Sequence, residues 1–148
     1  HLFACDFHPE LGKTNSMLRI EGLKNVTLVR SDARKLPVAS NSMDAIVCMS
    51  VLEHLHDLKS PADEFFRVLK PGGVAIVGVP VENLMTDIML RLSYLALPNA
   101  SLDDEHVSTH RDVLSTFSNK FQVEQGLNIP RLLPESIRMY RTVRFRKP

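Results

Sequence analysis

The chain has no tryptophan, two tyrosines and two cysteines, and only 6% of its 148 residues are aromatic. Two cysteines exclude a disulfide framework. Both Cys5 and Cys48 lie in short apolar runs that predict buried strands, so they are expected to be small core residues in a reducing, intracellular setting, with cytoplasmic localisation the expectation. Charge of one sign is also missing: 18 basic against 17 acidic residues leave a formal net charge of +1, which supplies no global attraction to nucleic acid or acidic lipid. Long hydrophobic runs are absent as well. The greasiest helical stretch, Leu84 to Leu97, is too short to span a bilayer and carries Asp87 and Arg91, so no membrane span is predicted. No basic-then-apolar leader stands at the N-terminus, and there is no internal repeat or low-complexity tract. With 44% apolar and 24% charged residues, the composition is that of one globular domain over residues 1–148, long enough to bury about 68 to 70% of its unfolded surface.

What is present is an alternation of strand and helix signals. Four continuous apolar runs, LFAC at 2–5, VTLV at 26–29, AIVCM at 45–49 and VAIVGV at 74–79, predict strands of a parallel sheet with helices on both faces. Before the fourth run, Ala62, Phe65, Phe66 and Leu69 make a helical stripe. Ser60 is the expected N-cap, Pro61 suits the first turn, Asp63 completes a capping-box pattern, and Lys70-Pro71-Gly72-Gly73 ends the helix. Downstream, 84–97 predicts a helix apolar on two sides, Thr109 with Asp112 predicts a second capping box, and 121–125 and 142–145 predict the last strands. Arg144 and Arg146, alternating with Val143 and Phe145, read as solvated arginines protecting a sheet edge; RNA binding is disfavoured because only Tyr140 and Phe145 accompany the basic tail as stacking residues. The fold class expected is α/β, a doubly wound, mostly parallel sheet.

In such sheets ligands bind beyond the carboxyl ends of the strands. The first run ends on Asp6, the second on RSDARKLP with Asp32, and the third on SVLEH with Ser50, Glu53 and His54. A carboxylate at a strand end can accept both hydroxyls of a ribose, which suits Asp6; Asp32 could accept from an adenine amine, with Phe7 and Leu36 offering apolar surface to the base. Helix capping or simple solvation is the competing explanation for each acid. Gly12-Lys13-Thr14 is not a nucleotide-binding loop, because the glycine required five places earlier is Phe7.

The order DFHPE, SDARKLP, NSMDAIVCMSVLEHLHD, FFRVLKPGGVAIVGVP resembles the class I S-adenosylmethionine-dependent methyltransferases of small-molecule type. The resemblance covers residues 1–80 well and the remainder loosely. It implies a Rossmann-like sheet with an antiparallel last strand, a cofactor-binding part at 1–80, and acceptor-lid helices and C-terminal strands at 81–148. It further implies S-adenosylmethionine as cofactor, with Asp6 at its ribose, Asp32 with Ala33 nearby at its adenine, and Met49, Ser50 and Val51 along its methionine portion and the acceptor; Phe7 remains a candidate apolar surface for the base. One departure stands out: the family's first strand and glycine-rich loop are not in this sequence, so the chain is expected to be truncated before the second strand of the family fold.

Methyl transfer from a sulfonium needs alignment first and a base only if the acceptor loses a proton. His106 matches a place where the family often carries a histidine near the acceptor, and it is the preferred candidate base, ahead of His54; His56 and His110 rank lower. Glu53 and His54 resemble part of a metal patch in quinone-precursor O-methyltransferases, but Ser50 stands where that patch has another acid. His106 and His110 are separated by the expected cap Thr109, so no metal site is expected. The function expected is methyl transfer to a small or lipophilic acceptor at oxygen, ahead of nitrogen or carbon. The alternatives are a non-catalytic binding or scaffolding remnant of the same fold and, more distantly, a nicotinamide dehydrogenase. Acceptor identity and oligomeric state are not legible.

Overall fold

A computed structural model of the chain describes residues 1–7, 12–83, 106–130 and 137–148. The expected helix at 84–97 lies outside the described residues. Among the described residues six strands and three α-helices run in the order β1 (Leu2–Asp6), α1 (Gly12–Ile20), β2 (Val26–Arg30), β3 (Met43–Met49), a 3-10 turn (Leu52–His54), α2 (Lys59–Val68), β4 (Leu69–Pro80), α3 (His110–Ser118), β5 (Gln122–Ile129) and β6 (Tyr140–Arg146). Every predicted strand is present, most of them a residue or more longer than its apolar core.

The strands form two ladders. β1 and β2 pair in parallel, with Leu2 opposite Val26 and Asp6 opposite Arg30. The second sheet has the order β3-β4-β6-β5, in which β3 and β4 are parallel and β6 runs antiparallel to both β4 and β5. Among the described residues no backbone hydrogen bond joins one ladder to the other. The expected antiparallel last strand is therefore found, but not at an edge. β6 lies between β4 and β5, and Arg144 and Arg146 are neutralised there by Glu124 on β5. Local alternation predicts a strand but carries no information on its neighbours, which is why the edge assignment fails.

The core lies on one face of the four-stranded sheet. Ala75, Val77 and Val79 of β4 and Val143 and Phe145 of β6 point at period two toward α2 and α3 and are almost wholly buried. Phe117 of α3 is the hub, with ring centroids 5.6 Å from Phe65, 5.7 Å from Phe145 and 5.8 Å from Phe121. Cover on both faces, expected from the continuous apolar runs, is not seen among the described residues: Val47 of β3 is 66% exposed. Cys5, expected to be buried, is exposed on β1 for the same reason, whereas Cys48 is buried.

Two termination devices differ from the sequence expectation. At the start of α2 the capping oxygen belongs to Asp57, whose carboxylate accepts from Lys59 N at 3.0 Å and Ser60 N at 3.1 Å and also from the Ser60 hydroxyl. Ser60 sits inside the first turn, and Asp63 pairs with Lys120 of the segment after α3. Both Ser60 and Asp57 are competent cap residues; the acid three places earlier reaches two free amides and wins. At the other end, Lys70-Pro71-Gly72-Gly73 is an excursion within β4 itself, since register passes from Met43 opposite Leu69 to Ala45 opposite Val74. Gly72 takes φ of +77°, a left-handed conformation that glycine adopts without a side-chain clash. The expected Thr109–Asp112 capping box is formed in full at the start of α3. Lys147 closes the structure beyond β6: its buried ammonium donates to Phe66 O at 2.6 Å, Leu69 O at 2.8 Å and Asn41 Oδ1 at 2.8 Å, so all three of its donors are used.

Candidate active site

The carboxyl ends of the parallel strands carry the polar residues expected there. β1 ends at Asp6, whose carbonyl accepts from Ser31 N at 2.9 Å, and Phe7 follows it into solvent with the Arg30 guanidinium 6.0 Å from its ring centroid. After β2 the chain turns sharply. Asp32 accepts from the backbone N of Arg34 at 2.8 Å and from its guanidinium at 2.7 to 3.0 Å. Those bonds from Arg34 hold the Asp32 carboxyl below the usual aspartate range, so it is an anion at neutral pH. Each of its oxygens already accepts two bonds from Arg34, so a further donor would have to share or displace one of them. Ala33 and Leu36 are half-buried against the core.

The loop behind Asp32 is fixed to α2. Leu36 N donates to Glu64 Oε1 at 2.6 Å, while Arg67 Nη2 donates to Leu36 O at 3.2 Å and Val38 O at 3.0 Å, and Arg67 and Glu64 pair at 2.7 Å. Arg67 in turn lowers the Glu64 pKa. This polar clamp, beside the packing of Ala33 and Leu36, links the loop after β2 to the helical layer of the core.

The end of β3 is the most constrained part of the site. Ser50 takes φ of +52°, an uncommon conformation for a residue with a side chain. Two bonds hold it: Ser50 N donates to Gly78 O at 2.9 Å, and its hydroxyl shares a hydrogen bond with the Tyr140 hydroxyl at 2.9 Å. The Met49 side chain and the Tyr140 ring both close over Gly78, where an added Cβ would stand 2.5 to 2.8 Å from their atoms. Tyr140 was singled out in the sequence only as part of a basic tail. Gly78, a lone glycine inside an apolar strand, was the available signal of such a close approach.

The histidines come next. The 3-10 turn presents the Glu53 carbonyl to Val107 N at 2.9 Å and Ser108 N at 3.0 Å, and the Ser108 hydroxyl donates to Leu55 O at 2.6 Å. These bonds seat His106 beside His54, with ring centroids 5.2 Å apart and planes at 60°. The two preferred histidines, read separately from sequence, thus share one place. His110 is buried at the first turn of α3, on the far side of the Thr109 cap from His106, as expected, and His56 is exposed. Glu53, which the sequence marks as a polar residue after β3 and, with His54, as part of a metal-patch resemblance, is 2% exposed, and among the described residues neither of its carboxylate oxygens has a hydrogen-bond partner. Burial first, and the Glu53 charge second, push the Cys48 thiol up to about 12, so Cys48 stays protonated and inert at neutral pH.

The structure therefore gathers the site residues into two groups. Asp6, Phe7, Asp32 and Ala33 stand on the β1–β2 ladder and its following loop; Met49, Ser50, His54 and His106 stand at the carboxyl edge of β3 and the segments packed beside it. No helix among the described residues is long and apolar enough to cross a membrane.

Comparison with known proteins adds to this geometry. A family described as a methyltransferase domain matches residues 1–77. A demethylmenaquinone methyltransferase of Corynebacterium efficiens is 38% identical over 81 residues, 53% of this chain and 33% of that protein. A sterol 24-C-methyltransferase of Gibberella zeae is 30% identical over 120 residues, 80% of this chain and 29% of that protein. The chain thus spans about a third of the length of these curated relatives. Among solved structures, the N-methyltransferase NodS from Bradyrhizobium japonicum in complex with S-adenosyl-L-homocysteine superposes with a TM-score of 0.70 at 18% identity, covering 100% of this chain and 67% of that one. The [4+2]-cyclase SpnF superposes with a TM-score of 0.72 at 17% identity, covering 99% and 65%. At these identities the structural likeness establishes a Rossmann-like fold, and SpnF illustrates that one fold hosts more than one chemistry.

Proposed function

Since the chain belongs to the methyltransferase-domain family, we propose that it carries the cofactor and acceptor surfaces of an S-adenosylmethionine-dependent methyltransferase acting at oxygen on a small, lipophilic acceptor. The observation that carries this reading is the family match across residues 1–77, the segment that ends three successive parallel strands on Asp6, Asp32 and Met49-Ser50. In this reading Asp6 accepts the ribose hydroxyls beside Phe7, Asp32 takes the adenine amine beside Ala33, and Met49 and Ser50 line the methionine portion. Residues 1–80 form the cofactor part and 81–148 the acceptor part. S-adenosylmethionine supplies an electrophilic methyl group when bound, and the protein contributes alignment.

The acceptor chemistry follows from the histidine pair. His106 and His54 expose their rings next to one another at the carboxyl edge of β3, where an imidazole can take the proton of a hydroxyl near neutral pH. A lipophilic acceptor fits the quinone and sterol methyltransferases among the relatives and the exposed Met49 and Val51 beside the site.

Calorimetric titration of S-adenosyl-L-homocysteine into the chain, and into the longest form of the protein that carries it, tests the cofactor half. Asp6→Ala should cost about 1 to 3 kcal/mol of binding through the lost ribose hydrogen bonds. Unchanged affinity removes Asp6 from the site, and no binding in either form leaves a scaffold of this fold rather than an enzyme. For the acceptor half, His106→Ala should lower turnover and leave cofactor affinity alone; an unaltered rate retires it as the base.

A further inference from the structure

The cluster at the 3-10 turn contains more than a proton acceptor needs. Glu53 is held at 2% exposure with no hydrogen-bond partner on either carboxylate oxygen among the described residues, an arrangement that is costly for an anion unless something positive is present to receive it. No lysine or arginine pairs with it in that set. What stands beside it instead are two imidazoles. One ligand atom each from Glu53, His54 and His106 lies within 4.8 Å of the others, and both histidines are exposed on the open side while the carboxylate closes the buried side.

We propose that Glu53, His54 and His106 form a binding site for a single divalent first-row transition ion, with the remaining coordination positions open to water or an acceptor oxygen. Two imidazoles and one carboxylate are a donor set suited to zinc and its neighbours, and three protein ligands with an open position characterise metal sites that bind an exchangeable ligand. Bonds of roughly 2.0 to 2.2 Å around a tetrahedral ion require ligand atoms about 3.3 Å apart. The exposed imidazoles can close the difference by rotating about their own side-chain bonds. Their backbone is already fixed, because the Glu53 carbonyl holds Val107 and Ser108 and so sets His106 opposite His54. The sequence set metal aside on the ground that Ser50 replaces an acid; the third ligand comes from fifty residues further along the chain, a distance no local pattern shows.

An imidazole cannot hold the ion and serve as a base at once, so this site and the base role of His106 are alternative uses of one cluster, and the test reads the metal alone. Zinc titrated calorimetrically into the chelator-treated chain should bind at one ion per chain. Cobalt should give visible d–d absorption at the same stoichiometry. His54→Ala/His106→Ala, a change at two exposed positions, should abolish that binding with the far-ultraviolet circular dichroism unchanged. Glu53→Gln should weaken it at least about tenfold. Zinc binding that survives in the double variant, or no binding to the parent chain, overturns the proposal. Should a variant fail to fold, proton resonances of the His54 and His106 rings in the parent chain decide: shifts confined to those two rings on adding zinc support the site, and shifts confined to other histidines refute it.

Discussion

Replacing Gly78 with alanine tests whether the close approach at the end of β3 is a structural constraint of the site. The new methyl would stand 2.5 Å from Met49 Cε, 2.6 Å from Met49 Sδ and 2.8 Å from Tyr140 Cε1, all inside the separations that real side chains adopt. Met49 can swing outward because its end is flexible and half-exposed, but the Tyr140 ring is tied through its hydroxyl to Ser50. Overpacking of this kind costs about 1 to 3 kcal/mol, and loss of the Ser50–Tyr140 bond adds about 0.5 to 1.5 kcal/mol. At the roughly 2 to 4 °C per kcal/mol typical of a chain of this size, a total of about 1.5 to 4.5 kcal/mol lowers Tm by roughly 3 to 18 °C. Thermal unfolding followed by circular dichroism measures this directly. Gly78→Ala combined with Met49→Ala should recover part of the loss, whereas Tyr140→Phe alone should show only the hydrogen-bond portion. A Gly78→Ala variant that melts with the parent, or a Met49→Ala second change that gives no relief, refutes the packing account of Ser50's left-handed conformation.

Two further predictions concern the core and the clamp. Phe117→Ala removes the ring at the centre of three others and should cost about 3 to 5 kcal/mol in urea unfolding; a loss below about 1 kcal/mol would show that the aromatic cluster is not the seat of the fold. Glu64 has its pKa lowered by Arg67, so its contribution is fully present above the ordinary glutamate value of 4.5 and fades as pH falls through the lower folded value. The Tm gap between the parent and Glu64→Gln should therefore be widest near neutral pH and shrink below pH 4.5; a gap that stays constant into acid would separate the clamp from the Glu64 charge.

Local patterns were enough for most of the elements, although α1, which buries none of its residues, was not among those read. Continuous apolar runs located β1 to β4 because a strand core needs only a few consecutive apolar residues, and Thr109 with Asp112 located the start of α3 because a capping box is written in four residues. Position within the sheet was another matter. The alternation of Val143, Arg144, Phe145 and Arg146 is the same for an edge strand as for β6 lying between β4 and β5, and only Glu124 across the ladder explains the arginines. The candidate site divided in the same way. Asp6, Asp32 and Ser50 were legible as polar ends of strands, but the partnership of Ser50 with Tyr140 spans 90 residues, and the burial of Glu53 depends on a segment that returns from position 107. A glutamate in a short turn looks solvent-bound until the chain that covers it is known.

The polar clamp between Glu64, Arg67 and the loop after β2 has a thermodynamic consequence. It ties together two ladders that share no backbone hydrogen bonds among the described residues, so β1 and β2 are expected to open more readily than the four-stranded sheet. A nucleoside cofactor gripped by Asp6 on one ladder and Ser50 on the other would act as a second fastener. Its binding energy would then appear partly as cooperativity between the ladders, visible as amide protection of β1 and β2 rising toward that of β4 and β6 as ligand is added.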